Sequence, residues 1–596
     1  MSSFKHILSD LRARLHPATT ALAAFAAWCA VCAVFACRNT RFTDIDFAKE
    51  IPLAKLILLT LIMAVALCLI GAWRPKYLYR LAPFCALFYG VVCCFQSASF
   101  YTAFGFMILM AILLIHIIRE DRAALNDIIV PRTVAIVLIA LFAVAMSTYL
   151  ITAALMRYFS YSSPCYDFGI FSQMFHNMRT TGLPVTTCER AVEMSHFAVH
   201  VSPIYYLLLP FYMIVPRPET LLVLQVLAVL SGVIPLYLLA RHFQWNHGQI
   251  LVVCLLYLGC AALTGGIFYD FHENKFLTAA LLWLFWAIER KKFPLVALFA
   301  CMTLAVKEDA AIYVIFIGLW LLLSRPEKKT GAVLTAAGAG YFIVVTRWLN
   351  EQGDGAMFDR FSNIIGREGG VAELIRSALK NPALLLHECM TADKLVFAAC
   401  LLLPLGLIPL FTKKLSSLLL LCPMVIVNLI SDYVYQHNLN FQYAYGVVAL
   451  LFYLTVANLP HIPDFVSGFR TRRALLCFAL CATALIGAVQ IKYHRDVFES
   501  YPDRRADSEI ISEVLATIPE DASVRSASMF IAPLSARSQL YYLTNETDAD
   551  YVLLDLRPYI NITSARGYDV EYFERRGYEL VTEVEYIIAV LKKSPS

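Results

Sequence analysis

The sequence predicts a mainly α, polytopic membrane protein with about fifteen transmembrane helices and a small carboxyl-terminal α/β domain. Three observations predict this class. Hydrophobic residues make up 60% of the 596-residue chain, and the mean hydropathy is +0.66, outside the range of soluble globular proteins. Apolar runs close to the ~20 residues that a helix needs to cross a bilayer recur along most of the chain. From about residue 492 the composition turns polar and short strand patterns appear. The net charge of +5 sits largely in short loops, so it bears on topology, and no nucleic-acid partner is expected. Most of the seventeen cysteines lie inside apolar runs (Cys29, Cys32, Cys93, Cys94, Cys254, Cys260), where they act as small hydrophobes, and no zinc-site spacing occurs.

The amino terminus carries Lys5, Arg12 and Arg14 before an apolar run at 18–37, which reads as an uncleaved first span. With that terminus cytoplasmic, spans near 55–72, 80–98, 101–118 and 133–155 place Arg74, Lys76, Arg80, Arg119, Arg122 and Arg132 inside. The polar segment 156–203 is then a large outer loop. Residues 203–215 are apolar but short, and crossing there would move Arg241 and later basic groups outside, so they read as an interfacial helix. Spans near 219–240, 248–267, 276–288, 293–306, 309–323, 331–348, 394–412, 415–431, 443–458 and 474–491 follow, leaving the carboxyl-terminal domain outside. In that domain 507–515 reads as an amphipathic helix, and 539–543, 551–556 and 584–591 as strands. The sequons at Asn545 and Asn561 read as coincidence outside a eukaryotic secretory route. The domains are thus 1–132, additional transmembrane helices; 133–491, a transmembrane core; and 492–596, an extracytoplasmic α/β domain.

Four ionisable groups map to the outer face: Asp167 with His176, His196 with His200, Asp270 with His272 and Glu273, and Lys307 with Glu308 and Asp309. Charge beside apolar spans is costly and marks substrate or ion paths. Asp167 lies in the run Tyr166-Asp167-Phe168-Gly169-Ile170-Phe171, followed by Gln173. A carboxylate desolvated among aromatics suits a general base, while an aspartate starting a helix striped by Phe168, Phe171 and Phe175 is the alternative. His196 and His200 share a helix face, a spacing that fits a metal or, more simply, hydrogen bonding.

The run 270–274 (DFHEN) suits a divalent cation or sugar hydroxyls, or serves as a capped turn. Lys307-Glu308-Asp309 interrupts an apolar stretch, where the lysine suits a lipid phosphate or the three charges compensate one another at a hairpin. Asp270, Glu273, Glu308 and Asp309 are the candidate metal carboxylates. The segment 432–445 gathers Tyr433, Tyr435, His437, Asn438, Asn440, Gln442 and Tyr443, a set for carbohydrate contact or an aromatic belt. Cys165 and Cys188 flank the first cluster, and a disulfide between them is worth about 3 kcal/mol in the chain-entropy account.

The blocks 166–177, 196–212, 268–276 and 304–314, with 518–537 and 549–556 (ADYVLLDL) beyond them, resemble a bacterial membrane family, domain of unknown function 2079. The resemblance covers roughly 150–560 and leaves the first four spans as additions. That family is in turn similar to GT-C glycosyltransferases, which move a sugar from a polyprenyl-phosphate carrier to an acceptor outside the membrane. The resemblance implies a catalytic aspartate in the first large outer loop, where Asp167 stands, and a juxtamembrane helix, where 203–215 stands. Adjacent acids are common in that loop among protein mannosyltransferases of this class. Here Tyr166 and Phe168 flank Asp167 instead, so the loop alone implies no metal site.

The expected function is therefore a transferase in a bacterial inner membrane that uses a polyprenyl-phosphate donor and an envelope glycan, lipid or protein acceptor. Asp167 is the expected catalytic residue. Lys307, His272, His196, His200, Tyr166, Gln173, His437 and Tyr443 are the expected substrate contacts, and a divalent cation is the one cofactor to weigh. Two other classes stay open. A transporter or flippase calls for internal repeats and mid-membrane charge, and neither stands out in the sequence. A non-catalytic envelope scaffold would tolerate loss of Asp167 and Lys307.

Overall fold

The computed structural model describes residues 17–38, 45–120, 130–163, 166–353, 358–365, 370–462, 471–560 and 567–595. Lys5, Arg12, Arg14, Arg122, Cys165 and Asn561 lie outside these residues, and with them the expected Cys165–Cys188 disulfide.

Ten helices among the described residues are long and apolar enough to cross a membrane. They include Pro17–Cys37, Leu53–Trp73, Pro75–Ser97, Phe100–Arg119, Arg132–Phe159, Pro218–His242 and His247–Ile267, each on a predicted span. Leu53–Trp73 is the most apolar and has almost no buried face within the chain, as suits a helix whose partner is lipid. Gln442–His461 is nearly all buried and forms the centre of the bundle. The first four helices share a separate hydrophobic cluster.

Several predicted spans are shorter or broken. Phe293–Leu304 and Ala310–Ser324 are apolar helices too short for an upright crossing, and Ile204–Ile214, equally short, lies on the expected interfacial helix. The predicted 394–412 span ends as a helix at Leu402, and the predicted 415–431 span is a 3-10 turn followed by a π-helical segment, Met424–Leu429. Pro404, Pro409 and Pro423 explain both breaks, because each removes a backbone donor and crowds the preceding turn. Ala310–Ser324 packs closely on Lys328–Gln352 through Gly318 and Gly331; a Cβ on Gly331 would meet the Gly318 carbonyl at 2.8 Å.

The last helix corrects the reading of the carboxyl-terminal part. Thr471–Ala516 is a single helix of 46 residues, and the predicted amphipathic helix at 507–515 is its end. Pairs one turn apart, such as Arg505 Nε to Glu509 at 2.9 Å, support its polar half. The expected domain boundary at 492 falls inside this helix.

Beyond it, β1 (Val524–Ser526), β2 (Leu540–Tyr542), β3 (Tyr551–Asp555), β4 (Tyr578–Val584) and β5 (Ile588–Lys593) form one sheet in the order β2-β1-β3-β5-β4. β1 pairs in parallel with β2 and β3, and β5 pairs antiparallel with β3 and β4. The single strand expected at 584–591 is the end of β4 and the start of β5, reversed through Tyr586 at φ 60°.

This sheet and the loop after Arg132–Phe159 share one core. Tyr161, Ile170 and Cys188 pack with Ile511, Phe530, Ile531 and Leu553. Arg557, bonded to Asp555 at 2.6 Å, donates to the carbonyls of Ser160 (3.1 Å) and Tyr161 (2.7 Å). A Cβ on Gly169 would strike Ile531 and the Tyr542 hydroxyl. Gly169→Val is therefore expected to destabilise the chain by about 1–3 kcal/mol through overpacking. The check is the thermal midpoint of the purified protein, and an unchanged midpoint would show that the two surfaces do not meet there.

Candidate functional site

The loop after Arg132–Phe159 is anchored to the bundle by helix Tyr166–Thr181, whose Phe168, Phe171 and Phe175 are buried. Phe171 and Phe175 pack edge-on to Phe271, which ties this helix to the DFHEN turn. The apolar stripe therefore fixes the helix, and Asp167 projects from its first turn. Asp167 thus starts a helix and is also desolvated beside its aromatic stripe. Its carboxylate accepts a hydrogen bond from the Tyr269 hydroxyl at 2.6 Å.

The DFHEN turn is buried along its length. Asp270 takes φ 77°, an uncommon conformation for a non-glycine residue, and accepts from the Ser163 hydroxyl at 2.5 Å. Lys275 is fully buried; it donates to Gln225 at 2.8 Å and also to the Asp270 carbonyl. Glu273, also fully buried, accepts from Tyr205 at 2.8 Å and pairs with Lys307 at 3.1 Å.

Lys307 comes from the turn between Phe293–Leu304 and Ala310–Ser324. That turn is bound to the outer loop by the Ile204 N–H, which donates to the Ala305 carbonyl at 2.8 Å. Glu308 accepts from the Val201 N–H at 3.2 Å and lies 2.8 Å from His200 Nδ1. His196 Nδ1 lies 2.9 Å from Glu189.

These elements line a cavity of about 240 Å³. Asp167, Tyr166, His196, His200, His272, Lys307 and Tyr443 line it, so seven of the residues singled out by sequence converge. Gln173 does not. It is buried and braces the loop against the α/β domain, donating to Thr187 at 2.8 Å and to the Arg537 carbonyl at 3.0 Å. His437 does not either, because it pairs with Asp393 at 2.6 Å and faces a different cavity. His176 lies outside the cavity lining.

Three of the four candidate metal carboxylates are engaged by other groups: Asp270 by Ser163, Glu273 by Lys307 and Tyr205, and Glu308 by His200. Asp309 keeps a buried Oδ1 without a hydrogen-bond partner. Among the described residues no three histidines, cysteines or carboxylates gather as a metal group.

Glu189, Arg190, Tyr269 and Arg360 also line the cavity and were missed by sequence. Arg360 lies over the rings of Tyr433 (4.7 Å) and Tyr443 (5.4 Å). One signal existed for it: the 347–394 segment is rich in basic residues on the face where positive-inside patterning expects few.

Burial and charge set the protonation pattern. Desolvation raises the Asp167 pKa, against the Tyr269 hydrogen bond and the Lys307 charge. Desolvation also raises Asp309, to about 6. Burial acts to lower His196, but Glu189 outweighs it and the net shift is upward. His200 and His272 are held well below the ordinary histidine value, by desolvation first and the Lys307 charge second. His272 Nδ1 accepts from the Asn274 N–H at 3.3 Å, which fits a neutral ring. Burial opposes the charge of Glu273 and of Lys307, yet each holds the other ionised. The cavity thus joins a carboxylate with raised basicity, a fixed lysine cation and neutral imidazoles.

A family model described as a predicted membrane protein (DUF2079) matches residues 157–571. No curated protein matches the chain. Among solved structures, ArnT from Cupriavidus metallidurans bound to undecaprenyl phosphate aligns at 10% identity over 75% of this chain and 98% of that one, with a TM-score of 0.43. The same protein in its apo state aligns at 11% identity over 76% and 100%, with a TM-score of 0.35.

Proposed function

We propose, for a chain that belongs to the DUF2079 family of predicted membrane proteins, a GT-C-like glycosyl transfer from a polyprenyl-phosphate carrier to an envelope acceptor. One observation supports it most: Asp167 and Lys307 line a single cavity, the first with raised basicity and the second fixed as a cation. In this reading the acceptor hydroxyl attacks the anomeric carbon of the carrier-bound sugar. The bond from that carbon to the phosphate oxygen breaks, and the polyprenyl phosphate leaves. Asp167 takes the hydroxyl proton on the oxygen that Tyr269 does not occupy. Lys307 offsets the charge that grows on the departing phosphate, and neutral His272 donates a hydrogen bond to it. Arg360 supplies a second cation at the same cavity.

Glu273 and Glu308 orient Lys307 and His200 in this reading, rather than holding a divalent cation. The cavity faces the outside of a bacterial inner membrane, as the basic-loop topology implies. The loop that carries Asp167 lines one side of the cavity, the α/β domain packs behind that loop, and helices 1–132 are an addition to the family core.

The test is carrier binding. The purified chain in lipid nanodiscs is expected to bind a polyprenyl phosphate. Lys307→Met is expected to weaken that binding about tenfold or more, the scale on which a buried charge-assisted hydrogen bond to phosphate acts. Binding that is absent, or equal in both proteins, would remove the transferase reading.

A further inference from the structure

A second cavity, of about 170 Å³, lies at the far end of the same helices. Ala310–Ser324 begins beside Lys307 and Asp309 and ends at Ser324 and Arg325 in the second cavity, about 22 Å away at 1.5 Å per residue. Helix Tyr445–Asn458 makes the same journey, from Tyr443 in the first cavity to Asn458 in the second. The two cavities therefore occupy opposite ends of the bundle.

The lining of the second cavity is one-sided in charge. Arg325, Lys413, Lys414 and His461 face it, and among the described residues no carboxylate does. Two acids lie nearby and both are engaged: Glu327 pairs with Lys291 at 3.0 Å, and the other is the buried Glu289. It pairs with Arg325 at 2.8 Å, accepts from Tyr453 at 2.7 Å and lies 3.5 Å from His242. Lys414 donates to the Ser324 carbonyl at 2.6 Å, which anchors its loop over the opening. Two buried donors in the wall have no hydrogen-bond partner: Trp320 Nε1, on a residue only 3% exposed, and Arg325 Nε, which Glu327 approaches only to 3.7 Å. Buried polar groups are nearly always paired, so an orphan donor marks a place where an acceptor fits. Thr412 and Ser417 add hydroxyls, and Phe243, Leu454 and Ala457 continue the wall as apolar surface.

Basic residues at the ends of spans are ordinary, and lysines there commonly reach for water. That account requires neither a cavity nor orphaned donors inside it. We infer that this cavity is a second anion site that takes a phosphate ester, distinct from the carrier site at the opposite end. The shared chemistry is a phosphate group. Its source is either the headgroup of an anionic phospholipid, whose chains would follow the apolar wall, or soluble phosphate.

The experiment is native mass spectrometry of the full chain released from nanodiscs of phosphatidylglycerol mixed with phosphatidylcholine. Retention of phosphatidylglycerol is expected to fall about tenfold or more in the Lys413→Gln/Lys414→Gln double variant. It is expected to fall less, but measurably, in Trp320→Phe, which deletes the indole N–H and keeps an aromatic ring in the wall. Lys76→Gln, a basic residue elsewhere on the chain, is the control. Displacement of the lipid by inorganic phosphate, or phosphate binding without lipid retention, identifies the soluble source and upholds the site. If neither the double variant nor Trp320→Phe loses more lipid or phosphate than Lys76→Gln, the inference is overturned. None of these variants touches the first cavity, so the outcome is independent of the transferase reading.

Discussion

Asp167→Asn is expected to lower glycosyl transfer by about 10²- to 10⁴-fold, the usual contribution of a positioned general base, with carrier binding unchanged. The amide keeps the shape of the side chain and still accepts from Tyr269, so the fold is retained. It cannot take a proton from an acceptor hydroxyl. The pH profile separates this role from a structural one. Desolvation raises the Asp167 pKa, so the base becomes protonated, and transfer falls, at a higher pH than for an ordinary carboxylate. The acid limb of kcat/KM should therefore lie above the usual carboxylate range in the native chain and vanish from the residual rate of the variant. A residual rate with the same acid limb would assign the base elsewhere.

Lys307→Met carries the largest expected cost in stability. Lys307 and Glu273 are buried together at 3.1 Å, and removing the lysine leaves a carboxylate with the Tyr205 hydroxyl and a neutral His272. Breaking a buried pair from one side costs about 3–5 kcal/mol, because the remaining charge is neither hydrated nor compensated. Lys307→Met/Glu273→Gln removes both charges and keeps an acceptor for Tyr205. The double variant should recover most of the thermal midpoint forfeited by the single one, yet still bind polyprenyl phosphate weakly. A double variant as unstable as the single would mean that packing around Lys307, not its charge, supports this region. A double variant that regained full carrier binding would remove Lys307 from the phosphate site.

The predicted site was legible where chemistry and position coincide in short motifs. Asp167, His272 and Lys307 stand out because each is ionisable and sits at the edge of an apolar run, and the three line one cavity. Gln173 and His437 stood out for the same polarity but serve other places, since a side chain's neighbours are not written in its own segment. Tyr269 and Glu189 were passed over because a tyrosine at a span end and a glutamate in a polar loop are unremarkable until Asp167 and His196 are seen beside them. Helix ends show the same division. Pro404, Pro409 and Pro423 were visible in the sequence, but whether a proline kinks a span or ends it depends on the packing around it.

By itself the sequence determined the membrane class, most span positions, the polar carboxyl-terminal part and the ionisable motifs, because hydropathy and charge act locally along a chain. Only the tertiary structure decided that residues 167, 272, 307 and 360 share one cavity, and that three of the four candidate metal carboxylates, Asp270, Glu273 and Glu308, are separately engaged. It also decided that the terminal helix runs unbroken from the bundle into the α/β domain, and that a basic cavity lies at the other end. Those outcomes rest on side chains that meet across long stretches of chain. They are set by which helix faces bury one another and by which buried charges must then find partners.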